Sequence, residues 1–211
     1  MNLGIEPIHI VCVLDESGSM SGSQAQVVES FNSIIATYRE KFGNEGYVSL
    51  YKFGMGGVIN MYMKRHLSEV QEMLITDFRP GGGTPLYDAV GKAVEDHRDH
   101  SRVFFVVDTD GFENTSKEYT QSVVKTLVEQ QTTAGWDFTF VGADLSTEHT
   151  QTMGASLGMV GANATMAFAK SADGYASRSA ALYSKLETYS SMSLEDHPLT
   201  PRQYPETDTP S

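Results

Sequence analysis

A chain of 211 residues with 40% hydrophobic and 20% charged residues has room for one domain with a full core. Its net charge of −12 disfavours nucleic acid and anionic membranes as partners, since the densest basic cluster, Lys64-Arg65-His66, is small. No apolar run reaches the roughly 18 residues of a membrane span, Met1 to Pro7 lacks signal-peptide character, and Cys12 has no second cysteine to pair with; a cytoplasmic protein is expected.

The apolar run Ile8 to Leu14 reads as a first strand, leading into Asp15-Glu16-Ser17-Gly18-Ser19. A helix follows from about Ser23 to Phe42, with Val27, Val28, Phe31, Ile34, Ile35 and Tyr38 at helical spacing and Gly43 as its stop. Tyr47 to Phe53 is a second strand. The link Gly54-Met55-Gly56-Gly57 is too short for a crossover, so Val58 to Lys64 should return antiparallel at the sheet edge. A short helix near Leu67 to Leu74 is expected next.

The stretch Pro80-Gly81-Gly82-Gly83-Thr84-Pro85 then opens a helix from Leu86 to about His97, with Pro85 at its first position and Thr84 as its cap. Ala89, Val90, Ala93 and Val94 should face the core. His97 and His100 fall in a charged last turn that reads as solvated, and without cysteines they are a poor zinc signal. Arg102 to Asp108 is a buried strand ending in Thr109-Asp110-Gly111. Thr115 with Glu118 forms a capping box for a helix whose stripe is Val123, Val124, Leu127 and Val128. A strand at Trp136 to Gly142, a helix at Thr147 to Leu157, a strand at Thr165 to Ala169 and a helix from Ala172 to about Tyr189 complete the pattern.

Residues 190–211 carry four of the seven prolines and no periodicity, which reads as a disordered tail after one domain at 1–189. Alternation of strands and helices implies an α/β fold, a doubly wound and mostly parallel sheet of order 3-2-1-4-5-6 with an antiparallel edge strand. In that order the first and fourth strands are neighbours, about 4.8 Å apart, and their carboxyl ends carry Asp15 and Asp110.

Asp15, Ser17 and Ser19 offer one carboxylate and two hydroxyls in a single turn, without nitrogen or sulfur. An all-oxygen set suits a hard cation such as Mg²⁺ or Mn²⁺. Alone, the pattern also describes a polar turn satisfying its own amides. Thr84 and Asp110 raise the number of oxygen ligands at one sheet edge to five: Asp15, Ser17, Ser19, Thr84 and Asp110. A phosphate loop, a dinucleotide site and a nucleophile elbow each lack their defining residues. Ser17 stands where an aspartyl phosphatase would need a second acid.

Asp15-Glu16-Ser17-Gly18-Ser19-Met20, Gly82-Gly83-Thr84-Pro85-Leu86 and Thr109-Asp110-Gly111 resemble the three parts of the metal-ion-dependent adhesion site of von Willebrand factor A (vWA) domains. Glu113-Asn114 and Gly135-Trp136-Asp137-Phe138 extend the likeness to small stand-alone bacterial and phage members, and the resemblance covers Ile8 to Tyr189. It implies one Mg²⁺ or Mn²⁺, held partly through water, that takes an Asp or Glu carboxylate from a protein partner. Asp108 departs from the pattern, standing where most members carry an apolar residue. Strand alternation puts it on the face of Asp110, where it would support the metal ligands or mark a bulge. The expected function is a metal-dependent protein-binding module, not an enzyme. The alternatives are a metal-dependent hydrolase or a subunit whose metal site is structural.

Overall fold

The computed structural model describes residues 7–161 and 163–192, so the expected tail lies outside the described residues from position 193 onward. Strands and helices run β1 (His9–Glu16), α1 (Gln24–Phe42), β2 (Tyr47–Gly54), β3 (Gly57–His66), α2 (Leu86–His97), β4 (Val103–Thr109), α3 (Gln121–Thr133), β5 (Asp137–Ala143), α4 (Thr147–Ser156), β6 (Thr165–Phe168) and α5 (Ala172–Ser191). The sheet order is β3-β2-β1-β4-β5-β6, with β3 antiparallel to β2 and the other pairs parallel. This is the expected doubly wound topology, and α5 runs two residues past the expected domain end at 189.

Alternation along the strands sorts two cores. Ile10, Cys12, Leu14, Phe104 and Val106 pack beneath α1 and α5 with Phe31, Ile35, Leu182 and Leu186. Val11, Val13, Phe105 and Val107 meet α2, α3 and α4 through Val90, Val94, Val124, Val128 and Met153. β1 and β4 are buried on both faces, which accounts for their unbroken apolar runs.

Two expected local elements differ. In place of a helix near Leu67 to Leu74 there are two 3₁₀ turns, Leu67–Glu69 and Ile75–Asp77. The backbone between them is claimed by α1: Arg39 donates to the carbonyls of Leu67 and Val70, and Asn32 bonds both the carbonyl and the amide of Met73. Buried Leu67, Val70 and Met73 recur every third residue, a spacing that does not hold one face of an α-helix. Likewise Thr115 and Glu118 open no helix; α3 starts at Gln121 with Thr120 as its cap. The amides of Lys117, Glu118 and Tyr119 are bound instead by the Asp88 carboxylate of α2. Of the expected stripe, Val124 and Val128 are buried and Leu127 packs half-buried against the core, while Val123 is exposed and Gln131 is buried in addition.

A third correction concerns His97, which is buried rather than solvated. Its Nδ1 donates to the carbonyl of Ala93 at 2.7 Å, so its Nε2 accepts from Ser49 Oγ, also at 2.7 Å. Ser49 Oγ in turn accepts from His9 Nε2 at 2.8 Å and from the Lys64 amide at 2.7 Å. One hydroxyl thus ties β1, β2, β3 and α2 together at the amino end of the sheet. His9 Nδ1 is left buried and unprotonated, with His97 and His100 rings 4.7 and 5.0 Å away.

Burial, followed by repulsion from His97, His100 and Lys64, lowers the His9 pKa to about 2. Burial lowers that of His97 as well. The unfolded chain then binds protons that the folded one refuses, so this contribution is whole above pH 6.5 and declines as pH falls below it. The slope approaches about 1.4 kcal/mol per pH unit for each such histidine. Urea unfolding at pH 7.5 and pH 5 should show a smaller acid loss in His9→Gln than in wild type. Acid-raised carboxylates are common to both proteins and cancel in that difference; equal losses would exclude His9 as the source.

Candidate metal centre

The carboxyl end of β1 delivers the first donors. β1 pairs with β2 as far as Glu16 opposite Gly54, where a Cβ on Gly54 would lie 2.4 Å from the Glu16 carbonyl oxygen. The chain then turns through a 3₁₀ segment, Gly18–Met20. Asp15 is fully buried, and its Oδ1 accepts the Ser17 amide at 2.7 Å. Its Oδ2 accepts the Thr109 hydroxyl of β4 at 2.5 Å. Burial pushes the Asp15 pKa up to about 6 against these hydrogen bonds, with nearby Asp110 adding to the rise. Ser17 Oγ lies 3.1 Å from Ser19 Oγ, which donates to Asp110 Oδ1 at 2.6 Å.

Glu16, between these donors, points away from them. Its carboxylate takes the Lys52 ammonium at 2.8 Å and the Arg79 amide in a buried pair beneath β2.

The Gly-rich loop docks against this turn through Gly18 N to Gly82 O at 3.1 Å and Gly81 N to Glu16 O at 2.8 Å. Gly82 has a φ of 74°, and a Cβ there would sit 2.4 Å from Met55 Cα, so only glycine fits. Thr84 is buried but does not cap α2, contrary to expectation; Pro85 holds the N-cap position. The Thr84 amide donates to Asn114 Oδ1 at 2.8 Å and its carbonyl accepts the Asn114 amide at 3.1 Å. The first turn of α2 is capped from the β4–α3 loop, with Glu113 Oε2 accepting the Tyr87 amide and Ser116 Oγ the Asp88 amide. Held this way, Thr84 is left free to turn its hydroxyl toward β4.

Gly111 locates where the donors meet. A Cβ built there would lie 3.4 Å from Thr84 Oγ1, 3.7 Å from Ser19 Oγ and 3.9 Å from Asp15 Oδ2. With the Ser17–Ser19–Asp110 chain of contacts, the structure brings all five expected residues to one place. Among the described residues no group of three or more His, Cys, Asp or Glu is placed to hold a metal. The donor set contains only two acids, and three hydroxyls would have to supply the rest. Its all-oxygen chemistry suits Mg²⁺ or Mn²⁺. Three contributors were not singled out as site residues in the sequence: Thr109, which orients Asp15, and Asn114, both quoted only within motifs of the family resemblance, and Lys170. The Lys170 ammonium contacts Asp110 Oδ2 and lies 3.1 Å from the Ser19 carbonyl oxygen.

Asp108 has an ion partner from another element. Arg178 Nη2 of α5 stands 2.5 Å from Asp108 Oδ2, an ion contact lacking hydrogen-bond alignment, and both side chains are buried. Arg178 also donates to Ser30 of α1. Burial raises the Asp108 pKa and Arg178 opposes the rise. The acid therefore joins β4 to α5, and Asp110 and Lys170 also act on it electrostatically. Removing one partner of a buried pair typically costs about 3–5 kcal/mol, whereas replacing both by apolar groups can be neutral. Chemical denaturation should show Arg178→Met strongly destabilised and the Asp108→Leu/Arg178→Met double variant near wild type. A double variant no better than the single one would mean that the pair is not the interaction lost.

No protein-family model matches the chain, and no curated protein matches it by sequence. Solved structures do. The vWF domain of the type V pili tip protein Mfa5 from Porphyromonas gingivalis aligns at a TM-score of 0.64 and 10% identity, over 87% of this chain and 95% of that one. The pilus adhesin SpaC from Lactobacillus rhamnosus GG aligns at 0.66 and 15% identity, over 88% of this chain but 30% of its own. Manganese-loaded TRAP protein from Plasmodium vivax aligns at 0.55 and 13% identity, over 84% of this chain and 72% of its own. The chain also spans 62% of the PilB minor pilin from Streptococcus sanguinis. The chain has the vWA fold.

Proposed function

We propose that the protein is a divalent-metal-dependent protein-binding module. Asp15, Ser17, Ser19, Thr84 and Asp110 would hold Mg²⁺ or Mn²⁺, and the bound ion would supply an electrophilic position for an Asp or Glu carboxylate of a protein partner. The observation that carries this reading is the meeting of five oxygen donors from three loops around Gly111. With three of the five donors neutral, the ion's charge is incompletely compensated and favours an outside anion. Exposed Phe112, on the loop that carries Asp110, and exposed Met55, on the β2–β3 turn against Gly82, offer apolar contact to a partner. The manganese-loaded relative and the adhesins among the structural neighbours accord with the reading.

A binding role is favoured over hydrolysis by the state of Glu16. Hydrolysis would need a group to take a proton from water. Glu16, the acid nearest the donors in the first loop, is engaged by Lys52 and the Arg79 amide.

Mg²⁺ or Mn²⁺ should raise the thermal midpoint, by about 2.7 kcal/mol of stability at a concentration 100 times Kd. Asp15→Asn and Thr84→Ala should abolish or sharply reduce that response. Partner capture in an affinity pull-down should disappear with chelator and in Thr84→Ala, and survive Glu16→Gln. Metal-dependent turnover of phosphate esters or peptides that disappears in Glu16→Gln would replace the binding reading with the hydrolase one.

A further inference from the structure

Lys170 lies in the β6–α5 connection, 60 residues beyond Asp110 in sequence. Its ammonium contacts Asp110 Oδ2 while Ser19 Oγ–H occupies Oδ1, so both oxygens of that carboxylate are engaged. The same ammonium reaches the carbonyl oxygen of Ser19, one of the loop donors. The pair is sheltered, with side-chain exposures of 17% for Lys170 and 2% for Asp110.

The lysine is positioned by a built connection. Its amide donates to Asp144 Oδ1 at 2.7 Å, and Asp144, at a left-handed φ of 54°, donates its own amide to the Phe168 carbonyl at 2.8 Å. The next residue, Ser171, caps α5 by accepting the Gly174 amide at 3.1 Å. A Cβ on Gly174 would come within 2.0 Å of the Ala169 carbonyl oxygen, so the turn is tightly closed. The backbone thus holds the root of the side chain at a fixed distance from Asp110.

Resting on the reading that this centre takes a divalent ion, we propose that Lys170 is a tethered cation that competes with the metal for Asp110. A lysine is a compact charge with three donors and no acceptor, so at a carboxylate it does what a cation does but brings no ligand oxygen. A divalent ion bound beside it would meet a like charge at close range in a poorly solvated site, where such repulsion is strong. The lysine therefore sets metal affinity, and an arriving ion drives the ammonium off Asp110 toward solvent.

The test is a Mn²⁺ titration by calorimetry of wild type, Lys170→Met and Lys170→Arg, combined with amine acetylation of wild type read by mass spectrometry. Removing the charge should tighten Mn²⁺ binding about tenfold or more, the scale on which groups around metal ligands act, while Lys170→Arg stays near wild type. In unmodified protein, Mg²⁺ should raise acetylation of Lys170 severalfold relative to other lysines as its amine is released. Equal or weaker Mn²⁺ binding by Lys170→Met, or acetylation unmoved or lowered by Mg²⁺, would overturn the competition while leaving the metal centre standing. Failure of wild type and Lys170→Met alike to bind Mn²⁺ would remove the metal reading itself, and the competition with it.

Discussion

The parallel pairing of β1 with β4 is the constraint on which the site depends. It aligns Leu14 with Asp108, so that the carboxyl ends of both strands, Glu16 and Thr109, fall within two residues of each other at one edge. Asp15 and Asp110, 95 positions apart in the chain, then share a small volume, with the Thr109 hydroxyl bridging from β4 to the Asp15 carboxylate. The pairing is secured far from the site by side chains buried on both faces of the two strands. At the opposite end of the sheet, Ser49 links His9, His97 and the Lys64 backbone. The interior behind the edge is closely packed, which suits a site that must hold several donors at fixed spacing.

Charge at this edge is distributed unevenly. Glu16 has Lys52, Asp108 has Arg178 and Asp110 has Lys170, each acid paired with a cation from a different element. Asp15 is held by neutral donors, the Ser17 amide and the Thr109 hydroxyl, and burial raises its pKa against them. A carboxylate that is buried, oriented and without a contacting cation has the most to gain from an added positive charge. Lys170 supplies part of that charge from beside Asp110. The electrostatic demand for a cation and the competitor for its place are therefore both built from this chain's own residues.

The loops also support one another. Glu113, Asn114 and Ser116 from the β4–α3 loop occupy the backbone groups of Thr84 and the start of α2, and Asp88 of α2 returns the contact to residues 117–119. This reciprocal capping explains why Thr84 is not spent on a helix cap. Its hydroxyl remains available because the amides it would have served have other acceptors.

Much of this was written in the sequence. Strand and helix alternation, the antiparallel return after a four-residue link and the placement of Asp15 and Asp110 at strand ends follow from periodicity and connection length, which are local properties. The five donors were legible because each lies within a few residues of a strand end or a glycine turn. Tertiary structure alone decided the segment from Leu67 to Asp77, where Asn32 and Arg39 take the backbone groups a helix would have used. It also decided the start of α3, which Asp88 delays, and the partner of Asp108, for which strand alternation left both support of the expected ligands and a bulge open and which α5 supplies as Arg178. Lys170 shows the same limit. Its side chain meets Asp110 only because β6 lies beyond β5 in the sheet and a closed turn aims the residue inward. A hydrogen bond or ion pair across the fold depends on which elements are brought within about 3 Å, a distance that chain spacing does not encode.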